Sequence, residues 1–273
     1  EISAISKKTR LRGKTIGFVP TMGALHKGHL SLIRKARQEN DRVVVSIFVN
    51  PVQFGPQEDF KQYPRPIKED ISLCHKVGVD FIFYPKASHM YPQGFKTYVT
   101  TEELSSVLCA KFRPGHFCAV TTVVIKLFNI VQPDIAYFGQ KDAQQAIVIK
   151  NMVKDLNIPL KIEVMPTIRE RNGLAMSSRN IYLSQAERKD ACVLYQALGL
   201  AKNLIRQGKR NSKGIIQKMR RLINQKKSAK IQYISIIDLK ELKPVDKIKA
   251  KVLIALAVWM GKNRLIDNII VNS

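Results

Sequence analysis

Apolar residues change their period along the chain, and the changes mark its organisation. Between residues 15 and 165 short apolar runs alternate with longer segments of helical spacing. Thr15–Pro20 is a brief apolar run ending in a turn, and Arg42–Val49 is almost continuously β-branched, the mark of a strand covered on both faces. Asp80–Tyr84, Asp134–Phe138 and Leu160–Val164 complete the strand-like set. Helical patterns lie between them: His29–Gln38 with Leu30, Leu32 and Ile33 apolar, then Lys68–Val77, Val120–Val131 and Asp142–Leu156. Such alternation predicts βαβ crossovers and a parallel sheet covered by helices.

After about Asn180 the order changes. Two helical stretches, Ser184–Arg206 and Gly214–Gln225, precede strand-like runs at Ile231–Ile237 and Val252–Trp259. The expected fold class is therefore α/β: a Rossmann-like parallel-sheet domain for nucleotide binding over residues 1–180, then a smaller α+β domain over 181–273. No internal repeat or low-complexity segment interrupts it.

Composition narrows the class. The chain has 273 residues, 45% hydrophobic and 25% charged, which is ordinary globular composition and excludes a disordered or fibrous chain. Its longest apolar run, Val252–Met260, is far below the roughly 20 residues a membrane helix needs. Glu1–Lys8 lacks the apolar core of a signal peptide. Cys74, Cys109, Cys118 and Cys192 form no CxxC pair and have no zinc spacing, so they read as reduced, mostly buried thiols of a cytoplasmic protein.

The formal net charge is +25. Residues 202–230 alone hold eleven Lys and Arg and no acid. Nucleic acid or an anionic membrane could use such a stretch. No aromatic residue is interleaved to stack on bases, and Leu204, Ile205, Ile215, Ile216, Met219, Leu222 and Ile223 repeat at helical spacing. A solvated helical face is expected, with no membrane role and no specific nucleic-acid role.

In an open parallel sheet, ligands bind beyond the carboxyl ends of the strands, and five polar loops follow the predicted strands. Pro20–His29 (PTMGALHKGH) runs straight into a helix, with glycines for close backbone approach and two imidazoles at a helix N-terminus, an arrangement suited to phosphate. Asn50–Phe54 (NPVQF) brings amides, which suit hydroxyls or a carboxylate. Arg113–Phe117 (RPGHF) is a second anion-friendly turn before the helix with Lys126 and Asn129. Gly139–Gln145 (GQKDAQQ) sets Lys141 near a helix N-terminus without the spacing of a P-loop. Arg169–Asn180 adds two hydroxyls and an Arg that can wrap a triphosphate. The set holds no Ser-His-Asp arrangement, carboxylate pair or metal cluster. Cations, amides and hydroxyls point to phosphoryl or nucleotidyl transfer.

Taken together, residues 20–29, 46–54 (SIFVNPVQF), 113–117, 132–142 (QPDIAYFGQKD) and 173–180 (GLAMSSRN) resemble the signature segments of the pantothenate synthetase family. The likeness runs from about Gly13 to the C-terminus and includes Arg264–Asn268 (RLIDN). That family is similar to the His-x-Gly-His nucleotidyltransferases and class I aminoacyl-tRNA synthetases, with Met176–Arg179 in the place of their mobile Lys-Met-Ser-Lys-Ser loop. The resemblance implies a two-step reaction: pantoate and ATP give pantoyl adenylate and pyrophosphate, then β-alanine displaces AMP. It implies that Met22, Gly23, Ala24, Leu25, His26, Lys27, Gly28 and His29 hold ATP, with His29 catalytic and His26 beside it. Gly139, Gln140, Lys141 and Asp142 would meet the nucleotide, with Lys141 on the phosphates. Ile168 would line the adenine pocket, and Met176, Ser177, Ser178 and Arg179 would close over the triphosphate. Gln53 and Gln145 would hold pantoate, Mg²⁺ would accompany the β- and γ-phosphates on ligands the resemblance does not name, and the protein would be a homodimer.

The chain departs from the family pattern at Ala110 and Ala119, where Gly is usual, in a shorter stretch before Lys14, and in its charge. Two rivals remain. Another small-molecule adenylyltransferase would keep His26 and His29 but lack the glutamine pair, and a nucleic-acid-binding protein would leave the five loops unexplained.

Overall fold

The apolar runs become five strands: β1 (Ile16–Thr21), β2 (Arg42–Ile47), β3 (Phe81–Phe83), β4 (Ile135–Gly139) and β5 (Lys161–Met165). In this computed structural model, which describes residues 2–56 and 58–272, all five are parallel, in the order β3-β2-β1-β4-β5. Around them lie α1 (Ile2–Leu11), α2 (Lys27–Glu39), α3 (Ile67–Lys76), α4 (Ala87–Met90), α5 (His116–Val131) and α6 (Ala143–Asp155).

Period-two alternation distributes the strand residues over two cores. Ile16, Phe18, Val44, Ala136 and Phe138 pack with Val124, Leu127 and Phe128 of α5 and with Ile149 and Met152 of α6. Val19, Val43, Val45 and Tyr137 pack with Leu30, Ile33 and Ala36 of α2 and Cys74 of α3. Covering on both faces is why β2 reads as one unbroken apolar run.

Carboxylates serve the amino ends of the strands. Asp41 accepts from Thr15 N–H (2.8 Å), Asp134 from Ile16 N–H (2.7 Å) and Asp80 from Val43 N–H (2.8 Å). The strand order reverses at β1 and β4, so the crevice beyond their carboxyl ends is the place for a ligand.

The chain divides into two compact units. The first is Glu1–Ser106, Ala110–Gln140 and Gln145–Pro166; the second is Val107–Cys109, Lys141–Gln144 and Thr167–Ser273. The second unit holds α7 (Gln185–Ala191), α8 (Val193–Arg206) and α9 (Ser212–Ile223), with an antiparallel sheet β6 (Ala229–Asp238), β7 (Val252–Met260) and β8 (Asn263–Val271) in sequence order. The α/β class with a smaller α+β unit is thus observed.

Several boundaries differ from the sequence expectation. The long final stretch of the second unit begins at Thr167, ahead of the boundary expected after Asn180: Arg169 pairs with Asp267 of β8, and Asn180 is tied to Glu170, itself paired with Arg188 of α7. Strand β8 was not expected, since Asp267 and Asn268 break its apolar pattern. Helix α5 begins at His116 rather than Val120, where Gly115 turns the chain at φ 76°. The single helix expected over Ser184–Arg206 is two: α7 closes at Cys192. The apolar run Val252–Met260 is the central strand of its sheet and almost wholly buried.

On α8 and α9 the stripe Leu204, Ile205, Ile215, Met219 and Ile223 is buried, while Lys213, Lys218, Arg220 and Arg221 are exposed. No helix among the described residues is long and apolar enough to cross a membrane.

Candidate active site

In the first unit, the loop from β1 to α2 is built around a buried carboxylate. Thr21 Oγ1 donates to Ser46 O (2.7 Å) and accepts from Gly23 N–H (3.1 Å). Gly23 sits at φ 81°, and a Cβ there would lie 2.8 Å from Asp70 Oδ2 and 3.0 Å from Ile47. Asp70, on α3 and 1% exposed, accepts from Ala24 N–H (2.9 Å) and Leu25 N–H (2.7 Å). Burial pushes its carboxyl above the ordinary value, and the two backbone donors oppose that without cancelling it. Sequence reasoning missed Asp70, because nothing local ties it to a loop 45 residues earlier.

That anchoring delivers the two histidines to the start of α2. His26 is the N-cap: its Nδ1 accepts from Gly28 N–H (3.1 Å), while His29 Nδ1 accepts from His26 N–H (3.3 Å). The rings stack with centroids 4.1 Å apart. A nitrogen that accepts carries no proton, so each neutral ring bears its hydrogen on Nε2. Both imidazoles thus stand at the N-terminal end of α2, where the helix dipole is positive. Met22 through Leu25 form the loop, and Lys27 and Gly28 open the helix.

Gln53 closes a 3₁₀ turn, Pro51–Gln53, capped by Asn50, whose Oδ1 accepts from Val52 N–H (3.3 Å) and whose Nδ2 donates to Ala119 O (3.3 Å). Arg113 makes a forked pair with Glu58 (2.6 and 2.5 Å) and donates to His116 Nε2 (2.9 Å) and Gln53 O (3.3 Å). His116 Nε2 accepts there, so its Nδ1–H donates to Gln53 O (3.0 Å). The Arg113 turn is thus a brace for Gln53 with its charge met by Glu58, not the open anion site its composition suggested. Burial pushes the Glu58 carboxyl up, but the hydrogen bonds and charge of Arg113, with Gly55 N–H, outweigh it and hold it below its ordinary value.

The two adjacent glutamines of α6 differ. Gln144, in the second unit, is buried, accepting from Cys109 N–H (3.1 Å) and donating to Val107 O (2.8 Å). Gln145, in the first unit, is partly exposed. Gly139 ends β4 with open space where a Cβ would stand, and Gln140 starts the 3₁₀ turn that follows.

The second unit carries the remaining candidates. Lys141 Nζ lies 3.8 Å from Asp142 Oδ1, and Lys141 O accepts from Asn268 Nδ2 (2.9 Å). Ile168 and Met176 are joined by a backbone bond (3.0 Å), with Arg169 and Ala175 bridged between them. Ser177 Oγ accepts from Arg179 N–H (3.3 Å), opening a 3₁₀ turn, Ser178–Tyr182. Met176 through Arg179 are partly exposed.

The cysteines are free; Cys74 and Cys109 are buried, Cys118 and Cys192 half-buried. Burial and then Asp70 push the Cys74 thiol up to about 11, so it is no nucleophile. Among the described residues no three His, Cys, Asp or Glu side chains group to hold a metal ion.

A family model described as pantoate-beta-alanine ligase matches residues 1–270. The chain belongs to that family. Curated relatives include the pantothenate synthetases of Caldicellulosiruptor saccharolyticus, 56% identical over 99% of this chain and 96% of that one, and of Fervidobacterium nodosum, 54% identical over 100% and 97%. Among solved structures, the pantothenate synthetase of Thermus thermophilus superposes with TM-score 0.92 at 42% identity, covering 97% of this chain and 96% of that one. The pantoate-beta-alanine ligase of Francisella tularensis, solved with beta-gamma ATP and beta-alanine, gives 0.81 at 38% identity, covering 98% and 94%. As a pantoate–β-alanine ligase, this chain is an enzyme that joins pantoate to β-alanine with ATP.

Proposed function

We propose that the condensation runs through a pantoyl adenylate built on the residues described above. The pantoate carboxylate attacks the α-phosphorus of ATP; a P–O bond forms, the bond to the bridging oxygen breaks, and pyrophosphate leaves. The free amine of β-alanine then attacks the acyl carbon; a C–N bond forms, AMP departs with the C–O electron pair, and the nitrogen releases a proton to solvent. A carboxylate is already a nucleophile at neutral pH, so the first step needs no base. It needs in-line placement and donors aimed at the charge moving onto the phosphates.

The observation that carries this reading is the stacked pair His26 and His29, whose Nδ1 atoms are committed to the backbone, leaving Nε2–H as the donor of each ring. In this reading Met22–His29 hold the phosphates at the head of α2, with His29 on the transition state. Gly139, Gln140 and Asp142 contact the nucleotide, Lys141 and Arg179 neutralise phosphate charge, and Ile168 lies against adenine. Met176–Ser178 cover the triphosphate, which protects the mixed anhydride from water. Gln53, braced through its carbonyl, and Gln145 offer side-chain amides to the hydroxyls and carboxylate of pantoate.

Magnesium finds no protein cage among the described residues. An ion carried by the polyphosphate keeps its waters and needs only one or two carboxylates, so in this reading Mg²⁺ enters with ATP and would offset part of the phosphate charge. The assembly in this reading is a homodimer in the cytoplasm.

The test omits each of ATP, Mg²⁺, pantoate and β-alanine in turn. AMP is expected only with all present, while pantoate-dependent exchange of pyrophosphate into ATP is expected without β-alanine. Formation of ADP and phosphate would overturn the adenylate route.

A further inference from the structure

The string Arg264–Asn268 has no role in the mechanism above, and the structure places it on β8. Consecutive side chains leave opposite faces of a strand. Asp267, 3% exposed, shares its face with the core residues Leu265 and Val271. Its two oxygens receive a forked pair from Arg169 (2.6 and 2.9 Å), and Oδ1 also accepts from Asn268 N–H (2.7 Å). Arg169 in turn donates to Gly173 O (3.1 Å) and stacks on Tyr195 at 4.3 Å. The hairpin that leads into Ser177–Arg179 is thereby tied to β8.

Asn268, 4% exposed, leaves the opposite face and donates to Lys141 O at 2.9 Å. Burying a carboxylate and an amide in a strand is costly unless each is bonded. Both are bonded here to segments that carry the cations of the proposed mechanism.

We propose that Asp267 and Asn268 are positioning residues for the two phosphate-directed segments of the second unit: Asn268 sets the Lys141 turn and Asp267 sets Ser177–Arg179. One strand thus fixes both, from its two faces. The proposal rests on the reading of Lys141 and Arg179 as phosphate ligands.

The test is a double-mutant cycle in the full-length enzyme, read as pantoate-dependent pyrophosphate release over a range of ATP concentrations. Asn268→Ala and the near-isosteric Asn268→Asp, which cannot donate, should each lower kcat/KM for ATP by about tenfold. The KM for β-alanine should stay within about twofold. With Lys141 already replaced by Ala, Asn268→Ala should add no further loss. Asp267→Asn should behave in the same way against Arg179→Ala. If Lys141→Ala alone leaves the rate unchanged, the phosphate role of Lys141 is wrong. If Lys141→Ala is damaging yet Asn268→Ala multiplies the loss in full, or shifts β-alanine and ATP alike, the positioning proposal is overturned. Thermal melts confirm that each variant is folded, and Asn268→Asp serves where Asn268→Ala is not.

Discussion

Removing the Asp70 carboxylate should loosen the histidine loop more than any change within the loop's own side chains. Asp70→Ala strips the acceptor from two backbone donors, Ala24 N–H and Leu25 N–H. Each orphaned donor costs about 1–3 kcal/mol. Part of that is offset, because the ionised carboxylate is held in a desolvating site, as its raised pKa shows. A net loss of about 2–4 kcal/mol is expected. For a chain of this size each kcal/mol moves Tm by roughly 2–4 °C, so melting should fall by about 4–16 °C. Asp70→Asn keeps the volume and one acceptor oxygen but turns an NH₂ toward the other donor, so its loss should lie between wild type and Ala. The rate should suffer more, since misplacing a reacting group by about 1 Å can cost about 100-fold. Calorimetry and pyrophosphate release with ATP and pantoate measure the two effects. A Tm within about 1 °C of wild type for Asp70→Ala, with the rate within about twofold, would show that the loop holds its shape without this carboxylate.

His29→Ala should cut adenylate formation by about 100-fold or more while ATP binding, followed by calorimetry, falls much less; a drop under about fivefold would make the histidine only the partner of the His26 cap. Gln53→Ala and Gln145→Ala should raise the KM for pantoate, whereas Lys141→Ala should damage ATP use; finding ATP affected and pantoate untouched in the glutamine variants would reverse these roles. Glu58 titrates below its ordinary 4.5 in the folded protein, so the stability it contributes is present above that value and is lost as pH falls through the folded one. Glu58→Gln should therefore melt lower than wild type at neutral pH, with the gap closing as pH falls from 4.5 through the lower folded-state value; a gap unchanged by pH would mean that the carboxylate charge is not what braces Arg113.

Local pattern determined much of this protein. The β-branched run of β2, the glycines and histidines before α2, and the five polar loops after five strands all express short-range physics: side-chain period, turn chemistry and a helix dipole. These made the parallel sheet and the place of its polar loops legible from residues alone. Tertiary structure decided what long-range contacts decide. Arg113 looked like an anion ligand, but Glu58, far away in sequence, takes its charge and turns it into a brace for Gln53. Gln144 and Gln145 are neighbours of one chemistry, and only packing made one a buried strut. Strand β8 escaped notice because Asp267 and Asn268 spoil its apolar pattern, and they spoil it because each pays for burial with bonds to distant loops. Asp70 stayed hidden for the same reason. A buried polar group is explained by its partner, and no window of sequence contains both.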